Sequence, residues 1–296
     1  MTRPQEWADE PEDPIEPIEP DDVDDDDGGD DGDDDDSEDA EDEAEDAVEA
    51  AEIEDPTGKK VEDPDAVLEY ADRPLPKEAE VRAAMEWAFE AEQDADDRLL
   101  SIFTQHALMI LEGNKRMNLT AITDLKEVAA KHYLDSWRLT QFLPMMGRTM
   151  LDLGSGAGFP GIPLAVGEPN ASMTLIDSTR KRTDFMEECV TGLGLKNCKV
   201  VWDRAEEHLA RNKYDIVVMR AISSVRENVR LLRKVRHSHK DLVMLKGPSW
   251  SREVRAGERE AERLGFRLDT VFEHELPDGM GARGILVYRA PGGHGE

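Results

Sequence analysis

From Pro76 the apolar positions recur at helical spacing. Val81, Ala84, Met85, Ala88 and Phe89 share one helix face; Leu99, Leu100, Phe103, Ala107, Leu108, Ile110 and Leu111 form a second stripe that Gly113 and Asn114 can end. After a mixed loop, KRMNLTAIT, Asp124 has the spacing of an N-cap with Glu127 three residues on. That predicts a helix from Leu125 to Phe142 with Val128, Tyr133, Leu134, Trp137 and Leu139 inward. Beyond Pro144 and Gly147 the pattern changes to short apolar runs: 149–153, 172–177, 198–202, 214–219 and 241–246. Helical runs separate them at 161–167, 179–193, 223–236 and 250–263. Strands at 266–274 and 284–289 close the chain with only a short polar turn between them. Alternating strands and helices predict an α/β fold, a mostly parallel sheet covered on both faces. The short last connection predicts an antiparallel C-terminal edge pair.

Residues 1–75 break this pattern. They are low-complexity and acidic, with almost nothing apolar to offset chain entropy, which predicts disorder with a transient helix around Ala44 to Ile53. The expected organisation is an acidic extension over 1–75, a helical segment over 76–146 and a ligand-binding core over 147–296. Charge follows the same division. Residues 1–60 hold 30 Asp and Glu against 3 Lys and Arg, so most of the formal −32 lies there. The remainder holds 38 against 33 and is free to form basic patches. The extension reads as a solubilising tail, a dock for a basic partner, or a competitor for the chain's own basic surface. Two cysteines, Cys189 and Cys198, fit neither a disulfide framework nor a metal site. With no apolar run near ~20 residues and no signal-like N-terminus, a soluble, cytoplasmic, monomeric protein without a membrane partner is expected.

The candidate chemistry begins at LDLGSGAGFPG, residues 151–161, where a strand passes into a helix. Gly154, Gly156 and Gly158 let the backbone turn sharply and approach a ligand. Asp177 ends the next strand, 23 residues after Gly154, where a carboxylate can accept from ribose hydroxyls. Pro160 and Pro163 remove backbone donors that a pyrophosphate would need. The ligand therefore reads as a nucleoside without phosphate, and S-adenosylmethionine fits.

NKRMNLTAI (114–122), His132 to Ser136, LDLGSGAGFPGIPLA (151–165), LIDSTRKR (175–182), RAEE (204–207), Arg220–Ala221 and LKG (245–247) occur in order. Together they resemble the RsmG family, also called glucose-inhibited division protein B. The resemblance spans roughly residues 96–290. It implies a Rossmann-like class I methyltransferase with a seven-stranded sheet, which transfers methyl from S-adenosylmethionine to N7 of a guanine in 16S ribosomal RNA. It also implies cofactor contacts at Gly154, Phe159, Ala205, Glu206 and Arg220. The acidic extension departs from the usual member, as does the less basic ending GARGILVYR; in a ribosomal setting the basic partner of the extension would be a basic ribosomal protein. Attack by N7 needs no general base, so no catalytic acid–base residue is assigned. Candidate contacts to the rRNA, or to the small ribosomal subunit, are Arg116 beside Lys115, then Lys131, His132, Arg180, Lys181, Arg182 and Lys246. Each reads equally as a solvated charge, and His132 equally as a half-buried, satisfied histidine. Competing readings are a same-fold methyltransferase for a small molecule or protein, and an inactive acidic binding protein.

Overall fold

The computed structural model describes residues 74–291. The acidic extension, apart from its last two positions, lies outside the described residues.

Three helical stretches come first. α1 is Glu78–Ala88 and α2 is Asp97–Gly113. The Asp96 side chain caps α2 by accepting from Leu99 N at 2.7 Å. The third stretch, α3, is α-helical over Leu125–Glu127, widens into a π-helix over Val128–Leu134, and returns to α over Asp135–Trp137 and Leu139–Phe142. Asp124 caps it as the spacing predicts, its Oδ1 accepting from Glu127 N at 3.0 Å. The π-helix is not visible in the apolar periodicity. Such segments gather at functional sites.

Next come β1 (Thr149–Leu153), α4 (Gly161–Gly167), β2 (Ser172–Asp177), α5 (Arg180–Gly192), β3 (Cys198–Trp202), α6 (Ala205–Arg211) and β4 (Tyr214–Arg220). They are followed by α7 (Val225–Leu231), β5 (His239–Lys246), α8 (Trp250–Arg263), β6 (Arg267–Glu275) and β7 (Ala282–Arg289). α6 was missing from the predicted elements, and α7 is shorter than the predicted run of 223–236.

One seven-stranded sheet results, in the order β3-β2-β1-β4-β5-β7-β6. The first five strands are parallel, which places their carboxyl ends along one edge. β7 inserts antiparallel between β5 and β6, so the expected edge pair is present.

Strand alternation sorts the core onto two faces. Met150, Leu175, Ile216, Val218 and Val243 face one cluster; Leu151, Ile176, Val217, Leu242 and Met244 face the other. The first cluster also takes in Val81 and Met85 of α1, Phe103 of α2 and Trp137 of α3. The N-terminal helices therefore share one hydrophobic core with the sheet.

Candidate active site

The glycine-rich loop leaves β1 and is tied to its neighbour at once. Gly154 N and Ser155 N donate to Ile176 O of β2 at 2.9 and 3.1 Å. Gly154, Gly156 and Gly158 have φ of 72°, 59° and 99°, a region costly for residues with a Cβ. At Gly158 a Cβ would also press on Ile162 Cδ1 at 2.5 Å. At Gly156 it would meet nothing nearer than Gly154 O at 4.0 Å, so there the loop backbone borders open space.

Two carboxylates hold the loop. Asp152 is fully buried beneath it, Oδ2 accepting from Gly161 N at 2.8 Å. Burial pushes its pKa up to about 7, opposed by the Gly161 N–H and by the charge of Arg220. Asp177 reaches across from β2: Oδ2 accepts from Gly156 N at 3.2 Å and Oδ1 from Thr179 N at 2.8 Å. The structure thus brings Asp177 to the loop. Ala205 and Glu206 begin α6, half-buried, after the adjacent β3.

Arg220 ends β4, followed by Ala221 in a left-handed conformation at φ 51°, the kind of outlier that concentrates at ligand sites. Its Nη1 donates to Lys131 O at 2.9 Å and its Nη2 to His132 Nδ1 at 3.1 Å. Both acceptors lie in the π-helix. A guanidinium only donates, so His132 carries its proton on Nε2 and donates to Thr120 Oγ1 at 2.9 Å. Thr120 Oγ1 accepts in addition from Ile122 N at 3.0 Å. The His132 ring stacks on Phe159 at 4.7 Å, and the Arg220 guanidinium lies 5.2 Å from the same Phe159 ring. Beyond Phe159 are Tyr133 and His106, whose Oη and Nδ1 are 3.0 Å apart. This cluster joins the NLTAI loop, α3, the glycine-rich loop and the end of β4.

Several expected RNA contacts take other roles. His132 is buried; burial, with Arg220, His106 and Lys131 nearby, holds its pKa well below the ordinary range. It is a neutral, fully engaged ring and presents no charge to a phosphate. Lys246 is also buried, its Nζ bonded to Ser223 O and paired with Glu253 at 2.7 Å. Half-buried Lys131 pairs with Glu127 at 2.9 Å. Arg116, Arg180, Lys181 and Arg182 are exposed. Of these, Arg180 pairs with Asp184 at 2.7 Å and Arg182 lies 3.6 Å from Asp177.

Sequence reasoning missed a buried group beside Arg220. His274 Nε2 is 3.1 Å from Asp135 Oδ1, and Arg283 Nε is 3.9 Å from Asp135 Oδ2. Asp135 stood inside the quoted block His132 to Ser136; nothing local pointed to His274 or Arg283. Cys189 and Cys198 are free and buried, and burial raises both thiols to about 12. Among the described residues no helix is long and apolar enough to cross a membrane.

A parallel sheet with an inserted antiparallel β7, and a glycine-rich loop facing an acid at the end of β2, define a class I methyltransferase. Residues 99–277 match the family model described as rRNA small subunit methyltransferase G, and the chain belongs to that family. Relatives named ribosomal RNA small subunit methyltransferase G include one from Solibacter usitatus, 37% identical over 65% of this chain and 91% of its own. Another, from Carboxydothermus hydrogenoformans, is 33% identical over 64% of this chain and 83% of its own. A third, from Symbiobacterium thermophilum, is 38% identical over 62% of this chain and 79% of its own.

Proposed function

We propose that this methyltransferase uses S-adenosylmethionine to methylate N7 of a guanine in small-subunit ribosomal RNA. The observation that carries the reading is the contact of Asp177 with Gly156, which sets a carboxylate beside a loop backbone bordering open space. A ribose diol needs such an acceptor, and a phosphate would be repelled by it. Gly154, Gly156 and Gly158 would supply the close backbone, Asp177 the ribose contact, and Ala205 and Glu206 the base end. When bound, the cofactor supplies a sulfonium methyl that N7 takes by in-line displacement, with no proton to remove. The chain's own part is positioning. The cluster of Arg220, His132 and Phe159 would hold the glycine-rich loop against the π-helix, and alignment of reactants can lower a barrier by roughly 7–11 kcal/mol.

The test is to incubate the full chain with cofactor and unmodified small-subunit rRNA, as naked RNA and as subunits, and map 7-methylguanosine. One modified guanine in 16S rRNA is the expected result. No methyl transfer to either substrate, with the cofactor bound, would overturn the RNA reading.

A further inference from the structure

Trp202 is out of keeping with its surroundings. It ends β3 at the carboxyl edge of the sheet, and 56% of its surface is exposed. What sets it apart is its place, at the carboxyl ends of parallel strands, where ligands of α/β sheets bind.

The ring is held in place. Its Nε1–H donates to Ser178 O at 3.0 Å, and the Arg180 guanidinium sits over it, 5.0 Å from the centroid. Asp184 at 2.7 Å in turn holds Arg180 Nε. Lys181 and Arg182 are exposed alongside. In the strand register Trp202 is the partner of Asp177, so its backbone lies one strand, roughly 4.8 Å, from that of the residue assigned to the ribose.

We infer that Trp202 and Arg180 form a stacking platform for an unpaired base of the RNA substrate. The inference rests on the proposed rRNA reading and adds a recognition element to it. Single-stranded RNA is held by aromatic faces that stack bases and by cations that meet phosphates. Here a tethered indole, a stacked guanidinium and two further exposed cations occur together. The methyl donor offers one carboxylate and no phosphate, and among the described residues Arg180 and Arg182 face only the single charges of Asp184 and Asp177, so this exposed group of cations has room for a further charge partner. Phosphates flanking a splayed base provide one. The stacked base belongs to a neighbour of the target nucleotide, because the platform lies beside the cofactor crevice.

The experiment compares full-length wild type, Trp202→Ala, Trp202→Phe and Arg180→Gln. Affinity for a small-subunit rRNA fragment and affinity for S-adenosylmethionine are measured separately at one salt concentration. Trp202→Ala should weaken RNA binding roughly ten-fold, Trp202→Phe should recover most of it, and cofactor affinity should not move. Unchanged RNA affinity in Trp202→Ala overturns the platform while leaving the rRNA reading intact. A matching loss of cofactor affinity also overturns it, assigning the indole to the adenine side. Failure of the wild type to bind any rRNA fragment defeats the underlying reading instead.

Discussion

Asp152→Asn changes one buried oxygen to nitrogen and isolates the ionisation of that site. Asp152 Oδ2 accepts from Gly161 N, while Oδ1 is buried with no hydrogen-bond partner among the described residues. Burial raises the folded-state pKa from 3.8 to about 7. Between those values the folded chain holds a proton that the unfolded chain has released. Stability from this group is therefore full below about pH 4, falls as pH rises toward 7, and is flat above. At about 1.4 kcal/mol per pH unit over roughly three units, the change approaches 4 kcal/mol. The asparagine variant lacks this dependence, and every other titrating group is common to both proteins. Urea unfolding of both, from about pH 4 to about pH 8.5, reads the difference directly. The variant should gain on wild type by up to about 4 kcal/mol as pH rises to 7 and hold that gain above it. A difference that stays constant across the range would refute a raised Asp152 pKa, whatever its size.

Asp177→Ala should weaken cofactor binding ten- to a hundred-fold in calorimetry, as expected for losing a charge-assisted bond of about 1.5–3 kcal/mol, and Asp152→Asn should weaken it less. His239 is buried with its pKa lowered to about 4, so its contribution to stability is full above about pH 6.5 and lost as pH falls toward 4. His239→Phe should lessen acid destabilisation by up to about 3 kcal/mol in the same unfolding assay. Deleting residues 1–75 should tighten RNA binding most at low salt, since a tethered acidic segment competes at roughly millimolar effective concentration and is screened as salt rises. Superimposed low-salt binding curves for the two proteins would show that the extension does not occlude the RNA site.

The sheet was legible because its strands are apolar runs punctuated by turns. β1, β2 and β3 fall at the predicted residues. α6 was not, because AEEHLAR buries only His208 and Leu209 and leaves no stripe to read. The glycine-rich loop and Asp177 were legible because positive φ demands glycine and the β2 end carries an acid. The burial of Lys246, and of His132 as its alternative reading allowed, has a tertiary cause. The partners that engage them are distant in sequence: Arg220, 88 residues from His132, and Ser223 O, 23 residues from Lys246. The π-helix left no trace because Val128, Ala129, Ala130, His132, Tyr133 and Leu134 are all buried, which leaves no one-sided apolar stripe whose period could be read.

The stack of His132 on Phe159 bears on modularity. Phe159 belongs to the glycine-rich loop and His132 to the helices that precede the sheet, so this aromatic contact belongs to both inheritances. A chimaera that exchanged the helices of one relative for those of another would keep Thr120 with His132 but part His132 from Phe159 and Arg220. Such exchanges should succeed only when all four side chains travel together. For directed evolution, a library that varies the helices to change substrate range while holding the sheet fixed will also perturb the glycine-rich loop. The residues beside that contact, not those at the rim of the crevice, set how far the two halves can diverge.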